Sequence, residues 1–267
     1  MKTQKTLAAA IGAVLGLTAL QAAIAADGSP TTVINVYPEG APAAAEAPAA
    51  EAAEGDHSFS ANVAIVSNYV FRGISQTDKG PAIQGGFDYT YNPASIYVGT
   101  WASNVADDGF AGANFEWDVY GGWRPKFGDF TLDAGVLYYV YPDSDPSQDT
   151  LEFKLGGTYD FGVVATSVTG FYSDDWFNTG DAYRVELGAS IPLPADFALT
   201  AKFGWNEFDK PVKKGGLPDY QDWSIGLTYA IGGATLGVSY VDTSGLDSCP
   251  APFQCNATVV GSVLLTF

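Results

Sequence analysis

Carboxylates are the residues of this chain whose type and spacing could do chemistry. Asp107–Asp108 and Asp174–Asp175 are adjacent pairs in polar stretches, and two carboxyl groups that share a proton can act as acid and base in hydrolysis. Neighbouring residues of an extended chain point in opposite directions, however. We therefore expect these acids to be solvated, and a carboxylate-only hydrolase is a remote alternative.

Histidine chemistry is restricted to one residue. His57 is the only histidine, and it follows a stretch rich in Pro, Ala and Glu, whereas a Ser–His hydrolase needs an imidazole beside its nucleophile. The sequence also has no GxxxxGK(S/T) motif and no dinucleotide-binding fingerprint. It predicts no catalytic residue, no cofactor and no enzymatic activity.

Metal chemistry has weak support. Asp143, Asp145 and Asp149 in DSDPSQD are spaced loosely like a calcium loop, but the central Gly and the closing Glu of such a loop are missing. Cys249 and Cys255 have no nearby histidine that could complete a zinc site. In an exported chain we expect these cysteines to form a local disulfide, so the sequence predicts a disulfide and no metal site.

The N-terminal part of the chain has the composition of a targeting segment followed by a spacer. Residues 1–26 combine Lys2 and Lys5 with an apolar run and an A-x-A-like end, which is typical of a cleaved signal peptide. Residues 27–58 include a Pro/Ala/Glu stretch of low complexity, which predicts a disordered periplasmic arm. We expect the folded domain to cover residues 59–267.

Composition restricts the class of this domain. The chain has 12 basic and 30 acidic residues, for a net charge of −18, which argues against a nucleic-acid partner. Hydrophobic residues make up 47% and aromatic residues 14% of the chain, which argues against disorder. No segment after residue 26 has the long uncharged run of a transmembrane helix.

The elements that would position functional side chains are strands. Alternation of apolar and polar residues, as in FEWDVYGGW (115–123) and LEFKLGGTY (151–159), puts every second side chain on the same face of a sheet. Such stretches are centred near residues 66, 87, 99, 119, 135, 155, 167, 187, 202, 225, 238 and 262. The facing of 95–104 and of 163–172 stays ambiguous.

The connections between these stretches alternate in length. Long polar ones, such as DKPVKKGGLPD (209–219), are followed by short ones, such as GG (232–233). Barrels of the outer membrane have long loops outside and tight turns in the periplasm, and an even number of strands returns both termini to the periplasmic side. The sequence therefore predicts an all-β transmembrane up-and-down antiparallel β-barrel of about 12 strands.

One face of the strands is suited to lipid because it carries aromatic and aliphatic residues without charges. Aromatic residues crowd the strand ends, as in the girdles of membrane barrels; the set is Tyr89, Tyr91, Trp123, Tyr138, Tyr141, Tyr159, Phe171, Tyr172, Phe197, Trp205, Trp223, Tyr229 and Tyr240. The terminal VVGSVLLTF places Val259, Val263, Leu265 and Phe267 on this face. Phe267 resembles the signal that barrel-assembly machinery reads, so we expect it to be an assembly signal and that machinery to be a partner.

The opposite face would line the lumen. The charged residues predicted to line a pore are Arg72, Asp88, Glu116, Asp118, Asp133, Glu152, Lys154, Arg184, Glu186 and Lys202. We expect Arg72 near the outer end of the first strand, where pairing with a lumen carboxylate and solvation at the rim are equally open. Acids outnumber bases in this set, which would favour cations along a continuous water path, whereas paired charges would plug a narrow barrel.

A resemblance to a known family adds to this interpretation. The stretch SNYVFRGISQTDKGPAIQGGFDYTY (67–91), followed by YVGTWASNV (97–105), resembles the TorF family, a proteobacterial family catalogued as hypothetical outer-membrane barrels and classed as porins. The residues themselves match at 67–78, 81–89 and 101–105. Elsewhere the likeness is limited to the spacing of the strands, the Gly-Gly pairs and the terminal Phe. The resemblance implies an outer-membrane barrel of a Gram-negative bacterium and a pore, without a known substrate or catalytic residue.

Two functions stay open. The first is a porin-like channel for passive diffusion of small hydrophilic solutes, with a preference for cations. The second is a closed structural or adhesion barrel whose acidic extracellular loops bind a partner or divalent cations. They differ in whether the inward charges line water or neutralise one another. In both, outer-membrane lipid is a partner.

Overall fold

Twelve long antiparallel strands form one closed sheet in a computed structural model that describes residues 55–209, 217–246, 249 and 253–267. The expected signal peptide and most of the expected arm lie outside these residues. The strands are β1 (His57–Val66), β2 (Ala82–Tyr91), β3 (Ile96–Asn104), β4 (Phe115–Trp123), β5 (Phe130–Val140), β6 (Thr150–Asp160), β7 (Ala165–Ser173), β8 (Ala182–Leu193), β9 (Phe197–Phe208), β10 (Tyr220–Ile231), β11 (Ala234–Ser244) and β12 (Thr258–Thr266). The predicted up-and-down barrel and its strand number are confirmed.

Each strand pairs with its neighbours in the sequence, and β12 pairs with β1 to close the ring, with Asn62 opposite Thr266 and Val66 opposite Ser262. Closure leaves no sheet edge, which is the condition for a β-structure in lipid. β1 begins at His57, slightly before the expected boundary at residue 59. The His57 ring accordingly lies at the start of a strand, with its Nδ1 2.7 Å from the Tyr89 hydroxyl.

Long and short connections lie at opposite ends of the barrel. The short ones form the short-turn end and span 92–95, 124–129, 161–164, 194–196 and 232–233. The others form the long-loop end and span 67–81, 105–114, 141–149, 174–181, 209–219 and 245–257. Among the described residues, no helix is long and apolar enough to cross a membrane.

Side-chain exposure separates the two faces of the sheet as the alternation predicts. In β4 the outward Phe115 and Trp117 are 43% and 45% exposed, whereas the inward Glu116 and Asp118 are 1% and 0% exposed. The ambiguous strands are settled in the same way, since Trp101 in β3 and Phe171 in β7 are buried inside the barrel. Placing Phe171 and Tyr141 in the outer girdle was therefore wrong, because both rings pack inside with other side chains of the long-loop end.

The first strand ends earlier than expected. β1 stops at Val66, and residues 67–81, called the inner segment below, enter the barrel. Arg72 and Gly73 have φ values of 48° and 80° and turn the chain back between Val70–Phe71 and Ile74–Ser75. The expected position of Arg72 on the first strand was wrong, because two successive left-handed residues cannot continue a strand. Gly73 is required here, since a Cβ would also collide with Thr243.

Candidate functional site in the barrel lumen

The inner segment crosses the lumen from one wall to the other. On one side the Tyr69 hydroxyl donates to Glu116 Oε1 on β4 (3.0 Å). On the other side the Tyr220 hydroxyl on β10 donates to the carbonyl oxygen of Arg72 (3.0 Å). β4 and β10 are half of the ring apart in the strand order. The segment therefore obstructs the lumen near the long-loop end.

The side chain of Arg72 fixes this segment to a third wall. Its guanidinium donates to both carboxylate oxygens of Glu152 on β6, each at 2.8 Å, and Arg72 and Glu152 are only 7% and 1% exposed. The same guanidinium lies over the rings of Phe71, Phe171 and Trp176, at 4.6 to 5.3 Å from the ring centroids. Of the two interpretations of Arg72, pairing with a lumen carboxylate is the one that the structure shows.

The inner segment also has internal hydrogen bonds. Asn68 Oδ1 accepts from the Ser75 hydroxyl (2.7 Å), and the Thr77 hydroxyl donates to the Gly80 carbonyl oxygen (2.6 Å). Burial raises the pKa of Tyr69 well above the usual tyrosine value, and the nearby Glu116 raises it further. The hydroxyl therefore stays protonated and remains a donor at neutral pH.

A second cluster of charges lies on β8, β9 and β10. Arg184 donates to Glu186 (2.9 Å), to the Asn206 side-chain oxygen (2.8 Å) and to Asp222, and the half-exposed Lys202 lies 3.7 Å from Glu186. Asp222 and Asn206 were not among the predicted lumen residues. The alternation of apolar and polar residues in YQDWSIGL and FGWNEF does place both residues on the inward face of the sheet.

A third cluster lies nearer the short-turn end. Asp133 accepts from the Tyr97 hydroxyl (2.8 Å), from Lys154 (2.9 Å) and from Arg124 (3.1 Å). Arg124 was not predicted, because it follows β4 and takes no part in its alternation. Asp88 accepts from the Tyr120 hydroxyl (2.8 Å). All ten residues predicted to line a pore thus face the interior, and most of them are held by other side chains of the lumen.

The wall formed by β7 to β12 is different at its short-turn half. Many of its inward residues there are hydroxyl residues or glycine, with Lys202 between Gly188 and Ser224 and Leu264 on β12 as exceptions. The hydroxyl residues and glycines are Ser167, Gly188, Thr200, Ser224, Gly226, Gly237, Ser239 and Ser262. At Gly226 a Cβ would lie 2.7 Å from Ser239 Oγ and 2.8 Å from Thr200 Oγ1. These glycines leave room in this part of the lumen, whose surface is mostly polar and carries the charge of Lys202.

A cavity of about 380 Å³ lies at the long-loop end, above the inner segment. Its aromatic lining residues are Phe71, Phe110, Trp176, Phe177, Phe208, Tyr220 and Phe253. Polar groups of Gln76, Gln148 and Asn178 share this lining with Arg72. The barrel therefore presents an aromatic, concave surface on the side of the long loops.

The loop acids are not brought together. Asp107, Asp108, Asp174 and Asp175 are exposed, and the described part of the chain has no group of three or more His, Cys, Asp or Glu that could hold a metal. Asp149 accepts a hydrogen bond from the Tyr141 backbone (2.9 Å), while Asp143 and Asp145 are exposed. The predicted disulfide is confirmed, with Cys249 and Cys255 joined at a Cα–Cα distance of 5.7 Å.

Comparison by sequence identifies a family. Residues 49–263 match a family described as "Bacterial protein of unknown function (Gcw_chp)". The chain belongs to the Gcw_chp family. This match confirms a bacterial family of unknown function, whereas the resemblance to the TorF family stays a prediction. No curated protein matches this Gcw_chp chain in sequence.

Solved structures with a similar fold include porins. The "KdgM porin in complex with disordered oligogalacturonate" has 8% sequence identity, covers 78% of this chain and 99% of its own, and has a TM-score of 0.53. The NanC porin has 9% identity, covers 79% and 99% of the two chains, and has a TM-score of 0.51. At such identities the likeness concerns the fold alone. This member of the Gcw_chp family has the fold of outer-membrane porins.

Proposed function

We propose that this chain is a porin-like channel of the Gram-negative outer membrane, through which small hydrophilic solutes diffuse passively. The observation that carries the proposal is the closed twelve-stranded barrel, whose lumen the inner segment narrows between β4 and β10. Below that constriction the wall of β7 to β12 carries mainly small hydroxyl residues and glycines, together with the half-exposed Lys202. A lumen of this kind admits solutes by size and polarity rather than by a single tight site.

The proposal includes a preference for cations. Acidic side chains outnumber basic ones among the predicted lumen residues, and the inward field of an acidic lumen raises the local concentration of cations. Ion pairs such as Arg72–Glu152 reduce this field. We therefore expect a weak cation preference, visible as a reversal potential under a salt gradient.

The remaining parts of the proposal concern the family of the protein and its route to the membrane. They are membership of the TorF porins, export through a cleaved signal peptide, a periplasmic arm over residues 27–58, and insertion by the barrel-assembly machinery. The lipid partner is supported by the exposed apolar outer face, for example Ile83 at 67% and Leu155 at 60% exposure. The terminal Phe267, 70% exposed, supports the assembly signal. A non-enzymatic role is supported by the scattered loop acids.

Single-channel recording in a planar bilayer tests the channel. Discrete conductance steps are expected from the wild-type protein, and larger steps from the double variant Tyr69→Phe/Arg72→Gln, because two of the anchors of the inner segment are lost. Lys79→Gln is the matched control, since Lys79 is an exposed base of the same segment. A correctly inserted barrel that stays silent in both forms would contradict the proposal.

The second candidate function is the closed barrel that binds a partner. Mutual neutralisation of the lumen charges favours it, as does the aromatic cavity on the long-loop side. In this alternative the long acidic loops contact a partner or divalent cations. Silence of the wild type and of the double variant in the bilayer is the result that this alternative predicts.

A further inference from the structure

Buried polar atoms without hydrogen-bond partners are concentrated on the wall formed by β2, β3 and β4. Asp118 is fully buried, and neither of its carboxylate oxygens has a hydrogen-bond partner among the residues that the structure describes. Glu116 Oε2 and Gln84 Oε1 also have none, although both residues are only 1% exposed. A buried carboxylate without a donor or a counter-charge is strongly unfavourable. A positively charged partner would therefore stabilise these four oxygens.

The strand register brings the four oxygens onto one patch of the inner wall. Gln84 is opposite Ser103, and Ser103 is opposite Glu116, so that the three residues form one row across β2, β3 and β4. Asp118 follows Glu116 on the same face of β4 and is opposite Trp101. Inward residues two apart on a strand are about 7 Å apart. Asp118 and Glu116 also lie within electrostatic range of each other.

The hydrogen bonds of Gln84 and Glu116 leave one oxygen of each side chain unpaired within the described part of the chain. Its side-chain nitrogen donates to the Ser103 hydroxyl (3.3 Å), which leaves the amide oxygen as the unpaired atom. The Tyr69 hydroxyl donates to Glu116 Oε1 and the Tyr141 hydroxyl lies beside the same carboxylate, while Oε2 has no partner of hydrogen-bond geometry among the described residues. One atom of each group is thus held by a neighbouring hydroxyl, and one oxygen of each has no hydrogen-bond partner among the described residues.

The bases of the lumen are engaged elsewhere. Arg72 pairs with Glu152, and Lys154 and Arg124 pair with Asp133. Within the part of the chain that the structure describes, no Lys, Arg or His forms an ion pair with Glu116 or Asp118. Two carboxylates without a base carry two negative charges, which a single divalent cation balances.

We propose that Glu116, Asp118 and Gln84 bind a divalent cation of the calcium class on the lumen wall, beneath the inner segment. Hard divalent cations are held by carboxylate and amide oxygens, and calcium accepts irregular sets of such ligands. The inner segment then covers the ion, because Tyr69 packs against Trp101 with 5.6 Å between ring centroids. The site is distinct from the exposed acids of the long loops, and it does not require the barrel to conduct.

Terbium luminescence tests the site in the purified full-length barrel in detergent. Tb³⁺ takes the oxygen ligands of calcium and emits when a nearby indole absorbs light, and Trp101 lies in the row of Asp118. We expect tryptophan-sensitised emission that excess Ca²⁺ displaces. Asp118→Asn should abolish this emission. Trp101→Phe should remove most of the emission while Ca²⁺ binding measured by calorimetry persists.

Two further measurements make the result decisive. Asp143→Asn changes an exposed loop acid and should leave the emission and the calorimetric signal unchanged. Ca²⁺ should raise the thermal midpoint of the wild type relative to EDTA, and this rise should disappear in Glu116→Gln/Asp118→Asn. If the carboxylates instead share a proton, Ca²⁺ will not shift the wild-type midpoint and no displaceable emission will be seen. Either that result or equal loss of emission in Asp143→Asn would overturn the proposal, whereas silent bilayer recordings would not.

Discussion

At the scale of single residues, the pair of Arg72 and Glu152 decides how firmly the inner segment is held. Removing one partner of a buried ion pair leaves an uncompensated charge, which costs about 3–5 kcal/mol, whereas replacing both partners is often close to neutral. We expect Arg72→Gln to lower the thermal midpoint of the barrel strongly. The double variant Arg72→Gln/Glu152→Gln should recover most of that loss.

The measurement is thermal unfolding in detergent, followed by circular dichroism, with Lys79→Gln as the control for loss of a base in the same segment. The Tyr139 hydroxyl also donates to Glu152 (3.0 Å), and this bond should persist to a glutamine oxygen. Equal midpoints for wild type and Arg72→Gln would show that the pair contributes nothing to holding the segment.

The role of Arg72 could be predicted only in part. An arginine in YVFRGIS on a barrel wall predicts a lumen charge and leaves open whether it pairs with a carboxylate or is solvated at the rim; the structure shows the pair with Glu152. The turn at Arg72 and Gly73 could not be predicted, because a left-handed arginine is rare and depends on the surrounding packing. The choice of Glu152, which is 80 residues away, depends on the closure of the whole ring.

At the scale of strands, alternation was a reliable guide wherever the two faces differ in polarity. It failed to assign β3 because both faces of IYVGTWASN are apolar in part. The structure explains the inward Trp101, which packs against Tyr69 of the inner segment instead of against lipid. A strand next to an inserted segment thus loses the contrast that sequence patterns depend on.

The last strand carries the prediction for assembly. Phe267 exchanges two backbone hydrogen bonds with Ala61, at 3.1 and 2.9 Å, so deletion of Phe267 removes both these bonds and the exposed ring. We expect the deletion, and also Phe267→Ser, which keeps the backbone, to lower the yield of barrel in the outer membrane. Phe161→Ser removes another exposed aromatic ring and serves as the control. Unchanged yield of both terminal variants in membrane fractions would show that the ring is no assembly signal.

At the scale of the whole molecule, the barrel is divided along its axis. The inner segment, the aromatic cavity and the buried pair of Arg72 and Glu152 lie toward the long-loop end, whereas the cluster around Asp133 lies nearer the short turns. Solutes that enter between the long loops would meet the constriction first and the wall of small hydroxyl residues and glycines later. This order gives selection at entry only if the long loops face the outside of the cell.

The orientation in the membrane can be measured directly. We expect Asp108→Cys, in an exposed long loop, to react with a membrane-impermeant maleimide on intact cells, because long loops of outer-membrane barrels face outward. Lys126→Cys, exposed at the short-turn end, should react only after the outer membrane is permeabilised. Cys249 and Cys255 are joined to each other and do not compete for the reagent. Labelling of Lys126→Cys but not Asp108→Cys on intact cells would show that the barrel has the opposite orientation in the membrane. The constriction would then lie on the periplasmic side, where it could not select solutes at entry.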